Sequence, residues 1–182
     1  MPSIISHAVV ASSLGAAGLP DRSMPARYWV ALAILAAAPD ADVIAFWLNV
    51  DRAHILSHRG LTHSLPFAAL VAALAVRVLF RGREWHALWP RLWALYFAGI
   101  ASHGLLDAFT NGGQGIAYFA PFSASRWHAS WQPILVSPIG VGAFLSEYGL
   151  RVLQNEMLWL WLPSAILAAS AWYVRGRRVV DR

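Results

Sequence analysis

The chain alternates between long apolar runs and short polar links, a pattern that predicts membrane-spanning helices. The clearest run, residues 157–174, has 18 residues without a charged side chain, about the length of one bilayer crossing. Six such runs can be drawn along the sequence. They cover residues 4–19, 28–50, 64–80, 92–109, 133–150 and 157–174.

The fifth run differs from the others because it contains Pro138, three glycines and Glu147. We expect it to be irregular, as a re-entrant segment or one lying at the membrane interface. The sequence therefore predicts an all-α fold, a polytopic membrane helix bundle with about five crossings plus one irregular or re-entrant segment. No repeat or linker divides the chain, so residues 1–182 are expected to form a single integral membrane domain.

Composition agrees with this interpretation. Apolar residues make up 58% of the chain and charged residues only 13%, against roughly 25% charged in soluble domains. The ten tryptophans fit a membrane protein, because Trp gathers at membrane–water interfaces. Cysteine is absent, which excludes disulfides and thiolate ligands. The N-terminus lacks the pattern of a cleaved signal peptide, so none is expected.

The basic residues, all of them arginine, outnumber the acidic ones 14 to 9. They lie mostly in links between apolar runs, which favours membrane topology over nucleic-acid binding. If five crossings alternate and the first runs inward, ten arginines fall on the cytoplasmic side: Arg22, Arg27, Arg77, Arg81, Arg83, Arg91, Arg175, Arg177, Arg178 and Arg182. The loops at 51–62 and 110–132 then face outward, in a multi-pass membrane protein.

Three aspartates lie inside apolar runs or at their ends: Asp40, Asp42 and Asp107. A charged side chain in the hydrocarbon region costs about 2.5–3.5 kcal/mol on insertion scales, so these carboxylates need compensation. Four histidines lie in the same runs or beside them: His7, His58, His63 and His103. Carboxylate and imidazole are ligands for zinc, manganese or iron, and a bound cation would stabilise the ionised aspartates.

Local spacing supports parts of such a cluster. His103 and Asp107 are four residues apart, so a helix places both on one face. Asp40 and Asp42 would point about 200° apart on a regular helix, although Pro39 can distort that turn. If it does not, the two carboxylates serve different metals, or one of them lies outside the ligand set.

The topology places all seven side chains toward the same, outward membrane face. Gly60 lies between His58 and His63 and allows a tight bend that brings both imidazoles inward. The sequence therefore predicts a single cluster. The alternative is a polar network that only fixes helix packing, or a proton relay.

Four motifs carry a family resemblance. They are Ser6-His7, Pro39-Asp40-Ala41-Asp42, His58-Arg59-Gly60-Leu61-Thr62-His63-Ser64 and His103-Gly104-Leu105-Leu106-Asp107, followed by Pro121-Phe122-Ser123 and Ser137-Pro138. In the sequence and order of these motifs, the chain resembles the membrane-bound metal-dependent hydrolases. This family is also described as LexA-binding, inner membrane-associated hydrolases. The His-Arg-Gly-x-Thr-His-Ser string is specific, whereas His-x-x-x-Asp alone is weak. The chain is more distantly similar to zinc-dependent phospholipases C.

The resemblance implies a helical membrane protein with hydrolase activity and one or two divalent metal ions, with zinc expected. The ligands it implies are His7, Asp40, His58, His63, His103 and Asp107, with Asp42 as a further candidate. The phospholipase pattern has a glutamate ligand near its last motif. Glu147 is the only candidate for this glutamate ligand in the sequence, so the number of metal ions stays open.

These observations predict a metal-dependent hydrolase of an amphiphilic substrate drawn from membrane lipid, with a phosphoester favoured over an acyl ester. Asp42 or Asp107 would accept the proton of the attacking water. Arg59 would hold a substrate phosphate, since guanidinium matches phosphate bidentately; alternatively it is a topology charge. His54, His86 and His128 match no motif. Thr62 or Ser64 is expected to cap the following helix, with Pro66 in its first turn.

Two other functions use the same residues differently. A transporter or channel would pass a cation or proton along the polar side chains. The opposite halves of the runs are apolar, which argues against a continuous path. A regulatory membrane protein, as the LexA-binding label suggests, would need a protein partner rather than a metal. No motif that reads DNA is present, so nucleic acid is not an expected ligand.

Overall fold

The computed structural model of the chain describes residues 1–19 and 23–180, with the backbone alone for 178–180. Regular structure in these residues is helical, apart from two isolated β-bridges. The α-helices are α1 (Ile4–Ala17), α2 (Ala26–Ala37), α3 (Ile44–Trp47), α4 (Leu65–Leu79), α5 (Trp89–Ala108), α6 (Val141–Phe144), α7 (Glu147–Glu156) and α8 (Leu162–Val180). The prediction of an all-α fold is confirmed for the described residues.

Two pairs of consecutive α-helices are connected by short helical turns and so form longer helical segments. A 3-10 turn, Ala38–Val43, connects α2 to α3, and a π-helical turn, Met157–Trp161, connects α7 to α8. The structure differs here from the apolar pattern, which separates residues 150 and 157 by a polar gap. That gap contains neither glycine nor proline, so nothing in it stops the helix. The irregular part of the fifth run is confined to the residues before α7.

The described residues contain two helices long and apolar enough to cross a membrane, Ala26–Trp47 and Glu147–Arg177. Only 28% and 11% of their apolar windows are buried inside the protein, so most of that surface is left for lipid. Ile4–Ala17 and Leu65–Leu79 are apolar but shorter. In α5, Arg91 and Asp107 lower the hydropathy of a helix that has 20 residues. The count of five crossings stays a prediction.

Helix α1 lies at the centre of the bundle and packs against α2, α5 and α8, while α4 packs against α5. The largest buried apolar side chains are Tyr28, Leu32, Phe80, Leu92 and Tyr96, and they form one core. This core lies where α4 ends and α5 begins. The first turns of α1 and α4 and the last turns of α2 and α5 are therefore left at the opposite end.

Helix termini at that opposite end are defined by side chains. Ser64 caps α4 by accepting a hydrogen bond from the Phe67 amide at 3.2 Å, and Pro66 occupies the first turn. The capping prediction is confirmed for Ser64. Ser3 caps α1 by accepting from the Ser6 amide at 3.4 Å. Each cap satisfies an amide that would otherwise lack a partner. Both helices therefore begin at defined positions beside the polar cluster.

The predicted topology charges lie at the other end. Arg91 donates from Nε to the Gly18 carbonyl at 2.7 Å, and Arg27 donates to the Leu79 carbonyl at 3.0 Å. Both guanidinium groups therefore complement the negative ends of helices. Arg22 and Arg182 lie outside the described residues, as does the side chain of Arg178.

Candidate metal centre

Four buried side chains from three different segments meet at the site end of the bundle. They are Asp40, His63, His103 and Asp107, and one ligand atom of each lies within 4.8 Å of those of the other three. We call them the inner tetrad. Asp40 comes from the 3-10 turn after α2, His63 from the turn before α4, and His103 and Asp107 from α5. The four-residue spacing places the last two on one face of α5, as the sequence predicts.

The two histidines of the tetrad are oriented by acceptors outside it. His103 Nδ1 lies 2.7 Å from the Ala36 carbonyl oxygen. Because a carbonyl can only accept, this nitrogen carries the proton and leaves a lone pair on Nε2. His63 Nδ1 lies 3.0 Å from Thr62 Oγ1 in a hydrogen bond and 3.1 Å from Asp42 Oδ2 in an ion pair. The two Nε2 atoms then face each other at 3.1 Å.

The donor spacing matches the coordination sphere of a small ion. Two ligand atoms that bind zinc at about 2.0–2.1 Å in a tetrahedron stand roughly 3.3 Å apart. In the tetrad the His63–His103 nitrogens are 3.1 Å apart, and His103 Nε2 lies 3.2 Å from Asp40 Oδ1. His63 Nε2 lies 3.6 Å from Asp107 Oδ2 and 3.8 Å from Asp40 Oδ1. The residues present therefore fit a divalent cation.

Several polar atoms here lack a hydrogen-bond partner despite complete burial. Both Asp107 oxygens, Asp40 Oδ2 and both His7 ring nitrogens belong to this group. A buried polar atom without a partner costs about 1–3 kcal/mol. A group of such atoms in one place therefore requires a favourable interaction that offsets this cost. A cation among the carboxylates and imidazoles would provide it.

His7 lies beside the tetrad. Its Nε2 is 3.5 Å from Asp107 Oδ1 and 4.0 Å from Asp40 Oδ2. Its ring stacks on that of His103, with centroids 3.6 Å apart and planes 13° from parallel. His7 thus lies near the same two carboxylates as the tetrad histidines. It is a candidate for a further ligand of the same ion, not for a separate site.

Asp42 faces the turn before α4 instead of the tetrad. Its Oδ2 accepts hydrogen bonds from Thr62 Oγ1 at 2.5 Å and from the Arg59 amide at 3.2 Å. Its Oδ1 lies 2.5 Å from His58 Nδ1. Together with the His63 contact, these partners occupy both carboxylate oxygens. Asp42 therefore lies on the Nδ1 side of His63, outside the inner tetrad.

Asp42, His58 and His63 also lie within 4.8 Å of one another and form a second group that could hold a metal. The 2.5 Å separation of His58 and Asp42 is that of a short, charge-assisted hydrogen bond. It is shorter than the distance expected between two ligands of one ion. The inner tetrad is therefore the better fitted of the two groups.

The Arg59 guanidinium is buried, and each of its three nitrogen atoms contacts another part of the protein. Nη1 donates to the Gly112 carbonyl at 2.6 Å and Nη2 to Thr110 Oγ1 at 2.8 Å. Nε lies 3.1 Å from Asp107 Oδ2, an ion pair whose angle is too poor for a hydrogen bond. The charge of Arg59 therefore lies beside Asp107, and two of its N–H groups donate to protein oxygen atoms.

The turn that carries His58 and His63 depends on close backbone packing. Arg59 adopts a positive φ of 65°, which is uncommon for a residue with a side chain. A Cβ on Gly60 would lie 2.0 Å from the Ile55 carbonyl oxygen, so only glycine fits there. The tight bend expected at Gly60 is present, and it turns His63 into the tetrad.

Arg126 supports the same turn, a role that its position in the sequence does not signal. Its Nη1 donates to the carbonyls of His58 and Arg59 at 3.2 Å, and Nη2 donates to Ser57 Oγ at 2.7 Å. Burial lowers the pKa of Arg126, and Asp42 offsets part of that effect. The guanidinium thus links the loop after α5 to the turn before α4.

His63 is the titratable centre of the site. Burial lowers its pKa, but contacts with Asp107, Asp40 and Asp42 outweigh burial and raise the pKa well above its usual value. Three carboxylates around one imidazole favour the protonated ring. Without a metal, a proton therefore provides the positive charge that the cluster requires.

The histidines outside the motifs, and the candidate Glu147, lie apart from the tetrad. His54, His86 and His128 are exposed and belong to neither metal group. Glu147 is exposed at the start of α7. The glutamate that the structure buries is Glu156, which sequence reasoning missed. It accepts from the Ser3 amide at 2.5 Å and from Ser6 Oγ at 2.7 Å, and so anchors the first turn of α1 next to His7.

The described residues thus form an α-helical protein with two helices long and apolar enough to cross a membrane and a buried His/Asp cluster that could bind a metal ion. The chain belongs to the family described as YdjM inner membrane protein, whose model matches residues 1–178. It is also 40% identical over 176 residues to the Inner membrane protein YbcI of Escherichia coli (strain K12), covering 96% of this chain and 99% of that protein. No solved structure matches.

Membership of this family supports an inner membrane location. The resemblance to metal-dependent hydrolases is consistent with it. The site roles of His7, Asp40, Asp42, His58, His63, His103, Asp107 and Arg59 stay predictions, to which the structure adds the geometry given above.

Proposed function

We propose that the chain is a metal-dependent hydrolase of the inner membrane that binds one divalent cation, zinc by preference, in the inner tetrad. The observation that carries the proposal is the pair of Nε2 atoms on His63 and His103, 3.1 Å apart between two carboxylates. Both imidazoles have Nδ1 directed at oxygen atoms, so the two Nε2 atoms can both bind a cation that displaces the additional proton of His63. A site built only for helix packing has no need of this orientation.

A bound divalent cation would supply Lewis acidity, lowering the pKa of water to about 7 and polarising the scissile bond. The residues of the chain perform the remaining tasks. Asp107 is the better candidate to accept a proton, because neither of its oxygens has a hydrogen-bond donor. Asp42 already accepts several bonds, so we assign it to orienting His63.

Arg59 is proposed to position Asp107 rather than to hold substrate phosphate. All three of its nitrogen groups contact protein atoms. A small cavity of about 130 Å³ borders this region and is lined in part by Arg52, His58, Arg59 and Gln114. These side chains supply positive charge and hydrogen-bond donors for the polar part of a substrate. A phosphoester is therefore favoured over a neutral ester.

We further propose a multi-pass arrangement with the site toward the extracytoplasmic surface. Exposed aromatic side chains surround the site end: Trp47, Phe122, Trp127 and Trp131 are 75%, 85%, 58% and 59% exposed. Aromatic residues of this kind prefer the membrane–water interface. Arg27 and Arg91 lie at the opposite end, as expected for the cytoplasmic side.

The transporter alternative receives less support. Below the tetrad, the described part of the bundle is filled by Leu32, Phe80, Tyr96 and Ile100, which offer no polar path across it. The regulatory alternative stays a prediction that requires a protein partner.

The test is metal analysis of the full-length protein purified in detergent. We expect about one zinc per chain, lost in His63→Ala and Asp107→Ala and kept in the control His86→Ala, whose ring is exposed. The same protein should hydrolyse phosphatidylethanolamine or phosphatidylglycerol in vesicles. Chelation should abolish the reaction and added zinc should restore it. Stoichiometric metal in both ligand variants, or no chelator-sensitive turnover of these lipids, would contradict the proposal.

A further inference from the structure

An apolar cavity of about 400 Å³ lies between the start of α1, the end of α2 and the segment around α6. Its apolar lining includes Ile4, Ile5, Val43, Ile139, Val141 and Phe144. The volume is within the range of small-molecule sites, about 300–1,000 Å³. Several lining side chains are open to the surroundings: Ile4, Ile139 and Val141 are 60%, 52% and 77% exposed.

The cavity reaches the candidate metal centre at Asp40. This residue lines the cavity but is only 7% exposed, so it lies in the buried part, away from the open apolar rim. Asp40 Oδ2 has no hydrogen-bond partner, and Oδ1 contacts the Nε2 atoms of His103 and His63. A ligand that fills the cavity would therefore end beside the tetrad.

We propose that this cavity binds one hydrocarbon chain of a membrane lipid and thereby brings the phosphoester group of that lipid toward Asp40. The inference rests on the proposed function and names the part of the substrate that the protein recognises. The occupant follows from the surroundings, since a cavity with an apolar rim in an inner membrane protein faces lipid chains. Burying each methylene group contributes about 0.8 kcal/mol, which favours a long chain.

A second apolar groove provides a matched comparison. It lies between α2 and α4, has a volume of about 490 Å³, and is lined by residues such as Val30, Ile34 and Val78. No member of the inner tetrad lines it. Both grooves offer apolar surface to lipid, but only the first ends at a candidate ligand. Lipid that merely coats the protein should not distinguish between them.

The experiment uses the full-length protein in detergent micelles with trace phosphatidylethanolamine that carries a photoreactive diazirine near the end of one acyl chain. We expect saturable labelling of the peptide around Ile139–Phe144, reaching about one lipid per chain. Val141→Trp, which fills the groove, should reduce this labelling roughly tenfold. Val78→Trp should leave it unchanged. Ile139→Trp provides a second filling variant if Val141→Trp does not fold.

Metal content, measured on the same samples, separates the two proposals. If the tetrad binds no metal but the labelling is saturable and sensitive to Val141→Trp, the groove is supported and the hydrolase is not. If metal is bound but both grooves label equally and without saturation, the chain-binding proposal is overturned. It is equally overturned if Val141→Trp converts a dimer into a monomer, because the groove would then be covered by a second copy.

Discussion

His63 and Asp42 form the contact on which the geometry of the site depends, with Nδ1 of the imidazole 3.1 Å from Oδ2 of the carboxylate. The contact directs His63 Nε2 toward His103. Asp42 is itself fixed by the hydroxyl of Thr62 and the amide of Arg59. Carboxylate–imidazole pairs of this kind orient metal-binding histidines and increase their basicity.

Asp42→Asn should therefore weaken metal binding without removing a ligand of the tetrad. Loss of such an orienting carboxylate typically lowers metal affinity about 10–100-fold. Competition with a chromogenic zinc chelator would measure the change. Asp51→Asn is the control, because Asp51 is exposed and its side chain accepts only from the Ala53 amide. Equal zinc affinity in wild type and Asp42→Asn would refute the orienting role.

Metal binding should release a proton and strengthen as the pH rises. Because the carboxylates raise the pKa of His63 well above its usual value, the ring is protonated at neutral pH when no metal is present. The cation must displace that proton, so the apparent affinity falls as pH drops below the raised pKa. Calorimetry in buffers of different ionisation enthalpy should detect about one proton per ion near pH 7. A pH-independent affinity between about pH 6 and pH 8 would contradict this prediction.

The sequence contains enough information to predict part of this site. The spacing of His103 and Asp107 predicts their shared helix face, and the polar residues before Pro66 predict a helix cap at Thr62 or Ser64, of which the structure shows Ser64. Spacing alone does not predict that Asp40 joins the inner tetrad while Asp42 lies outside it. Both lie in a 3-10 turn, in which residues two apart point to different sides, and only the partners packed on each side decide their roles.

Long-range partners also explain what sequence reasoning missed. Glu156 lies in a polar stretch between two apolar runs, where a solvated glutamate is the ordinary expectation. Its burial depends on Ser3 and Ser6, which are 153 and 150 residues away in the chain. Arg126 similarly contacts backbone carbonyls near residue 58. Neither pairing leaves a local pattern.

Glu156→Gln should destabilise the protein. The carboxylate accepts from the Ser3 amide and from the hydroxyls of Ser3 and Ser6 at 2.5–2.7 Å. Glutamine can still accept from the Ser3 amide, but its NH2 group requires the hydroxyls to accept instead of donate, and the charge-assisted hydrogen bonds of the carboxylate are lost. Hydrogen bonds to a charged group contribute about 1.5–3 kcal/mol, against about 0.5–1.5 kcal/mol for neutral pairs. Thermal unfolding in detergent should show a lower midpoint for Glu156→Gln. The midpoint of Glu147→Gln should stay unchanged, since Glu147 is exposed. Equal midpoints for the two variants would show that the buried network contributes little.

Gly113→Ala tests whether Arg59 positions Asp107. A Cβ at Gly113 would lie 2.1 Å from Arg59 Nη1, and φ at this residue is 95°, which strains any side chain. The methyl group should push the guanidinium away from Asp107 and leave that carboxylate with less positive charge beside it. We expect zinc to bind more tightly, because Asp107 then has less positive charge beside it. Hydrolysis should be slower, because Arg59 no longer holds Asp107 in position. Gly176→Ala is the control, because a Cβ there meets no atom within 4 Å. If Gly113→Ala retains wild-type zinc affinity and turnover, Arg59 does not control Asp107.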